Sequence, residues 1–231
     1  MGATLSAVLM AQLHGKLPSE QWLTNEDLLT SAVFGTLKNL PHSITADLLA
    51  KARPLEGSSP PRLVPPLNWE FWPWWGTCEP VVAIEDATSL CAIEAKLDSQ
   101  FGPRQLWREW TDGRERSAGK QLWLLAVTNH ASFPEDEIQR QLEGREIDRS
   151  RICWLSWLEV GRLLRDPRSS DVSNGWNKDL SKVVKGWSED LLDVFTRMDL
   201  APFDGFCAAI SEARSARTDL PWMQQSLFRG G

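Results

Sequence analysis

The sequence predicts an α/β domain in which a central mixed β-sheet is flanked by helices. Three observations carry this. Two apolar runs, Val81 to Ile84 and Leu90 to Ala95, enclose the turn-forming Glu85-Asp86-Ala87-Thr88-Ser89 and read as a β-hairpin. Gln121 to Thr128 (QLWLLAVT) is a nearly continuous apolar run of strand length, the pattern of a strand covered on both faces. The segments around these strands repeat their apolar residues at helical spacing. With 231 residues the chain is long enough to bury a sizeable core, and the expectation is a single domain over 1–231.

Taken in order, Leu5 to Leu17 is a weak helix candidate. A stronger one begins at Thr24, a plausible N-cap with Asp27 three residues on, and carries Leu28, Leu29, Ala32, Val33, Leu37 and Leu40 at helical spacing until Pro41. Residues 51–66 are rich in Pro, Ser and Gly and read as a loop. Leu67 to Trp75 (LNWEFWPWW) is a dense aromatic cluster, read first as a plug for a sheet edge and alternatively as a platform for unpaired bases. After the hairpin, Gly102-Pro103 punctuates the chain and Arg104 to Thr111 reads as a helix. Pro134-Glu135-Asp136-Glu137 opens another, with proline in the first turn and acids behind it. Arg151 to Leu155 is a buried strand, and Ser156-Trp157-Leu158-Glu159 a capping box starting a helix through Leu164. A helical C-terminal part follows from about 174, with Trp176, Leu180, Val183, Val184, Trp187, Leu191 and Leu192 on one stripe.

Composition narrows the function. A net charge of -6 argues against a general nucleic-acid coat protein, yet leaves room for an enzyme needing positive potential only along a bound strand. Cys78, Cys91, Cys153 and Cys207 form no C-x-x-C pair and read as small core residues in a reducing, cytoplasmic setting. The three histidines are as scattered, which argues against zinc. No run reaches the roughly 18 apolar residues of a membrane span, and the start lacks the basic region of a signal peptide. No membrane partner is expected. The chain has 13 Trp, 8 Phe and no Tyr, and most of these rings belong in the core for the area they bury.

The chemistry concentrates around Glu79-Pro80 and Glu94-Ala95-Lys96. Glu94 and Lys96 are two apart, so both leave one face of the strand. A carboxylate beside an ammonium, with a second carboxylate entering from the partner strand, suits a divalent cation held against a phosphate. Mg²⁺ takes hard oxygen ligands and keeps part of its water shell. Glu94 and Glu79 are the candidate carboxylate ligands, the Ala95 carbonyl a third ligand, and Lys96 the group that orients or deprotonates the attacking water. Glu26, on the inward stripe of the first strong helix, is either a further site acid or a first-turn carboxylate complementing the helix dipole. Gln105 and Arg108 share a face of the helix after the hairpin. With Arg104 they are candidates for nucleic-acid contact, and the basic excess from Arg104 to Lys120 would suit backbone phosphates.

This succession resembles the core of the PD-(D/E)XK nuclease superfamily: Glu26 on a helix, Glu79-Pro80 on a strand, Glu94-Ala95-Lys96 on the next, then the helix from Gln105. The resemblance spans Thr24 to Leu155. It implies a restriction-endonuclease-like core, a Mg²⁺- or Mn²⁺-dependent deoxyribonuclease activity on DNA, a bacterial anti-phage or restriction setting, and a separate targeting or sensor protein. One departure matters. Relatives often read E-P-D-hydrophobic, and here the Asp position is Val81. Glu79 would have to take over that role. Otherwise the chain is a catalytically inactive scaffold or nucleic-acid-binding subunit of the same fold.

Overall fold

The computed structural model describes residues 26–57, 59–97, 99–165, 178–197 and 200. The chain divides into two compact units, Met1–Ala201 and Pro202–Gly231, and all described residues belong to the first. The Leu5 to Leu17 helix candidate, Thr24, Trp176 and Cys207 lie outside the described residues.

Six strands form one sheet in the order β1-β6-β5-β4-β3-β2. They are β1 (Arg53–Pro54), β2 (Asn68–Phe71), β3 (Val82–Glu85), β4 (Ser89–Ala95), β5 (Gln121–Thr128) and β6 (Ile152–Ser156). β2, β3 and β4 form an antiparallel meander, while β5 runs parallel to β4 and β6 parallel to β5. The sheet is therefore mixed, as the sequence predicts. The helices are α1 (Glu26–Leu37), α2 (His42–Ala50), α3 (Gln105–Arg116), α4 (Glu135–Leu142), α5 (Trp157–Arg165) and α6 (Lys178–Arg197).

The expected hairpin forms with the pairs Val82↔Ile93 to Glu85↔Leu90. Its turn is fixed by Asp86, whose Oδ1 accepts from the backbone N–H of Thr88 at 2.7 Å and of Ser89 at 2.6 Å. Its Oδ2 accepts from Val64 N–H at 2.7 Å, which ties the proline-rich loop to the hairpin. That loop is not wholly irregular. Arg53 and Pro54 pair with Trp154 and Cys153 as a two-residue edge strand, a backbone contact that no side-chain pattern announces.

Helices cover both faces, which explains why β4 and β5 are apolar nearly throughout. On one face Val33, Phe34, Ile44, Trp157 and Phe195, from α1, α2, α5 and α6, close over Ile93, Leu125 and Leu155. On the other, Leu106 and Trp110 of α3 and Ile138 of α4 pack on Ala92, Leu124 and Trp154. Ser156 behaves as the expected cap, accepting from Leu158 N–H at 3.2 Å. Cys78, Cys91 and Cys153 are free and buried, and burial pushes their thiols above the ordinary range, so none is a ready nucleophile. Among the described residues no helix is long and apolar enough to cross a membrane.

Candidate active site

Parallel strands joined by a helix put the carboxyl end of the first strand beside the amino end of that helix, the usual place for a ligand crevice in an open α/β sheet. Here that place is the end of β4, the start of α3 and the start of α1, and it gathers Glu26, Glu94, Lys96, Gln105 and Glu109. The Lys96 ammonium lies 2.9 Å from Glu94 Oε1 and 2.9 Å from Glu26 Oε1. Glu26 Oε2 accepts from Leu97 N–H at 3.0 Å and from Ser99 Oγ at 2.8 Å. Glu26 thus stands in the first turn of α1 and in the cluster at once: it anchors the strand end and pairs with the lysine.

The lysine backbone is held as firmly as its side chain. Lys96 N–H donates to Val127 O at 2.7 Å, extending the β4–β5 ladder. Lys96 O accepts from the buried Trp157 indole at 3.1 Å. Ala95, the expected carbonyl ligand, ends β4 opposite Val127 with its side chain in the core.

Gln105 sits inside the cluster rather than on its rim. Its carbonyl accepts from Gly102 N–H at 3.0 Å, which fixes the amide so that Nε2 donates to Glu94 Oε1 at 2.5 Å. Glu94 Oε1 therefore takes both the amide and the ammonium, and its Oε2 is buried with no donor. Against it lies Glu109 of α3, 0% exposed, with neither carboxyl oxygen receiving a hydrogen bond. Two buried carboxyls with three donorless oxygens cannot both be ionised without a proton or a cation between them.

The ionisation equilibria follow. Burial first, then the adjacent Glu94 carboxylate, pushes Glu109 well above the usual carboxyl range, so it holds its proton to a higher pH than a free glutamate. Burial also lifts Glu94, and the Lys96 ammonium only partly offsets this. Burial works against the charge on Lys96, but the Glu94 and Glu26 carboxylates outweigh it and hold the ammonium above its ordinary value.

Glu79 is not brought into this cluster. The ladder starts only at Val82, so Glu79 lies in the preceding loop, exposed, with no hydrogen bond or ion pair to these groups. Val81, where relatives carry the Asp, precedes the ladder and is buried with Val82 and Ile93 in the apolar core. The acid that joins Glu94 comes from the next helix instead. Glu109 was legible in principle: it falls three residues after Leu106 and four before Gly113, on the buried stripe of α3.

Of the basic residues after the hairpin, Arg116 pairs with Glu70 at 3.1 Å, and Lys120 with Glu85 at 2.6 Å. Arg104 is exposed at the N-cap of α3, in the left-handed region with φ 54°. Arg108 donates to Thr77 O at 3.3 Å while its Nε is buried without a partner. Among the described residues no group of three or more His, Cys, Asp or Glu side chains is arranged to hold a metal ion. Comparison of the chain with family models, with curated proteins and with solved structures finds no match.

Proposed function

We propose that this chain is a divalent-cation-dependent nuclease acting on DNA, with Glu94, Glu109 and Lys96 as its hydrolytic centre. The observation that carries the reading is the set of three donorless carboxyl oxygens on Glu94 and Glu109, buried beside an ammonium at the carboxyl end of β4. The succession α1, the β3-β4 hairpin and α3 supports a restriction-endonuclease-like core, since the sequence resemblance implies a helix, two successive strands and a helix.

The donor set fits Mg²⁺ or Mn²⁺. It is all hard oxygen, and Mg²⁺ is commonly held by one or two carboxylates together with waters and substrate phosphate rather than by a full protein cage. Glu94 Oε2 and the Glu109 carboxyl would hold the ion. When bound, it would polarise the phosphate and make a water nucleophilic at neutral pH. The chain's own groups do the rest. Gln105 keeps the Glu94 carboxylate in one orientation, as its amide is fixed by Gly102. With the ion bound, Glu109 would act as a carboxylate, its proton released to solvent. Lys96, held from both ends by Glu26 and Trp157, presents a cation to the phosphoryl oxygens as negative charge develops on them. Arg104 and Arg108 lie next to this centre, where backbone phosphates would be positioned.

A second reading, a non-catalytic scaffold of the same fold, is favoured by Val81, an apolar residue buried in the core at the position where relatives carry an acid. Incubating the full chain with single- and double-stranded DNA in Mg²⁺, Mn²⁺ or EDTA decides between them. Cation-dependent cleavage that disappears in Glu94→Ala and Lys96→Ala is expected. Cleavage that survives both changes rejects this centre, and no cleavage under any condition favours the scaffold.

A further inference from the structure

Two indoles, Trp72 and Trp74, are exposed in the loop that follows β2. Among the described residues the exposed large hydrophobic side chains are Val64, Trp72, Trp74 and Val183, with Trp74 70% and Trp72 36% exposed. Phe71, Val82 and Ile93 share one row of the meander. Trp72 therefore leaves the sheet one residue beyond Phe71, as Glu94 stands one residue beyond Ile93. Two strand spacings, about 10 Å, separate them.

The loop holding these rings is braced, not loose. Trp72 N–H donates to Val81 O at 3.2 Å, and Trp75 N–H to Cys78 O at 2.9 Å around Gly76, whose φ of 106° a side chain would resist. Thr77 N–H and Oγ both reach Asp112 Oδ2 on α3 at 2.8 Å. The Trp75 ring packs on Gly113 so closely that a Cβ there would lie 3.1 Å from it. Trp72 itself is held at φ 48°, a conformation that residues with a Cβ rarely adopt. Trp72 leans on Phe71, with 5.8 Å between ring centroids, and Trp74 stands largely in water; a fold that braces a loop this thoroughly yet leaves Trp74 in solvent is using it for something other than its own core.

A cation connects the loop to the cluster. Arg108 Nη1 donates to Thr77 O in the loop, and its Nη2 lies 3.9 Å from the Cβ position of Gly102, whose N–H orients Gln105. Its Nε is buried with no partner. The acids around it are held by other partners or lie apart: Asp112 by Thr77, Glu70 by Arg116, Glu94 by Lys96 and Gln105, while Glu109 is buried and Glu79 is exposed in the same loop.

We propose that Trp72 and Trp74 form a stacking platform for unpaired bases of single-stranded DNA, with Arg108 taking the phosphate between that platform and the Glu94–Lys96 centre. The inference rests on the nuclease reading and sharpens it, since a duplex keeps its bases stacked on each other and offers the indoles nothing to stack on. Indole stacking is tolerant of base identity, so the platform selects strandedness rather than sequence.

The test is fluorescence anisotropy with the full chain in EDTA, where nothing is cut, using a labelled dT oligonucleotide of about a dozen nucleotides, a duplex of equal length and an rU oligonucleotide. The dT strand is expected to bind more tightly than the duplex. Trp74→Ala should weaken it by about tenfold, Trp72→Ala similarly, and Trp74→Phe should restore part of the loss. Circular dichroism and melting of each variant establish that it is folded; Trp74, being the more exposed, is the safer probe. Equal affinity for strand and duplex, binding unchanged in folded Trp74→Ala, or binding of rU alone overturns the proposal. So does a concentration-dependent dimer that Trp74→Ala abolishes, which would make the rings a contact between copies. If dT binding depends on the tryptophans but Mg²⁺-dependent cleavage is absent, the platform stands and the nuclease reading fails. If cleavage depends on Glu94 and Lys96 while Trp74→Ala binds normally, the reverse holds.

Discussion

Glu109→Gln should make the protein more stable as the pH rises, and the size of the gain can be worked out in advance. Glu109 is fully buried beside Glu94, and its oxygens have no donor. The native state therefore holds its proton to a higher pH than the unfolded chain does. Below the ordinary carboxyl pKa, near 4, both states are protonated and the native state keeps its full stability. Above it the unfolded chain has released the proton and the native state has not. Stability then falls by about 1.4 kcal/mol per pH unit until the native pair ionises. Glutamine is the neutral isostere: it fills the same space beside Glu94, and it does not titrate. The two proteins should melt together near pH 4, and the gap should open with pH by about 3–6 °C per unit for a chain of this size. Differential scanning fluorimetry in EDTA from pH 4 to 8 measures it. Adding Mg²⁺ at about a hundred times its Kd should return about 2.7 kcal/mol to the wild type and so narrow the gap. A melting difference that does not change with pH, or a variant less stable at every pH, would refute the proton held on buried Glu109.

Three further outcomes follow from single contacts. Glu79→Gln should leave melting within about 0.5 kcal/mol of wild type and cleavage intact, because Glu79 is exposed outside the cluster; loss of cation-dependent cleavage would return it to the site. Asp86→Asn should cost about 1.5–3 kcal/mol. Burial alone would raise Asp86, but the N–H groups of Val64, Thr88 and Ser89 outweigh it and hold the carboxyl below its usual range. Its contribution is therefore present above about pH 4 and lost as pH falls through the native value, so denaturant melts should show the deficit shrinking on acidification. Trp157→Phe removes the donor to Lys96 O and should cost about 1–3 kcal/mol while slowing cleavage; unchanged turnover would mean that Lys96 needs no such clamp.

Much of the fold was readable because the responsible patterns are local. The hairpin shows in two apolar runs around Glu85 to Ser89, and β5 in an eight-residue apolar stretch bounded by polar ends. β1 was not readable, as two residues in a proline-rich stretch pair through their backbone alone. The site was half legible. Glu94, Lys96 and Glu26 converge as their positions implied, and Gln105 joins them, although as a partner of Glu94. Glu79 fails to join because Pro80 and Val81 precede the ladder, so strand alternation does not extend back to it. Glu109 was easily passed over as one acid in a mixed-charge helix. Only the placing of Leu106, Trp110 and Gly113 against the sheet shows that it faces inward.

The central claim is that Glu94 and Glu109 grip a hard divalent ion beside Lys96. Isothermal titration of Mn²⁺ into the full chain tests it most directly. Glu94→Gln and Glu109→Gln should each abolish a binding event that Glu79→Gln leaves untouched. Mn²⁺ binding that survives loss of both buried acids, or that vanishes with Glu79 instead, would contradict the account.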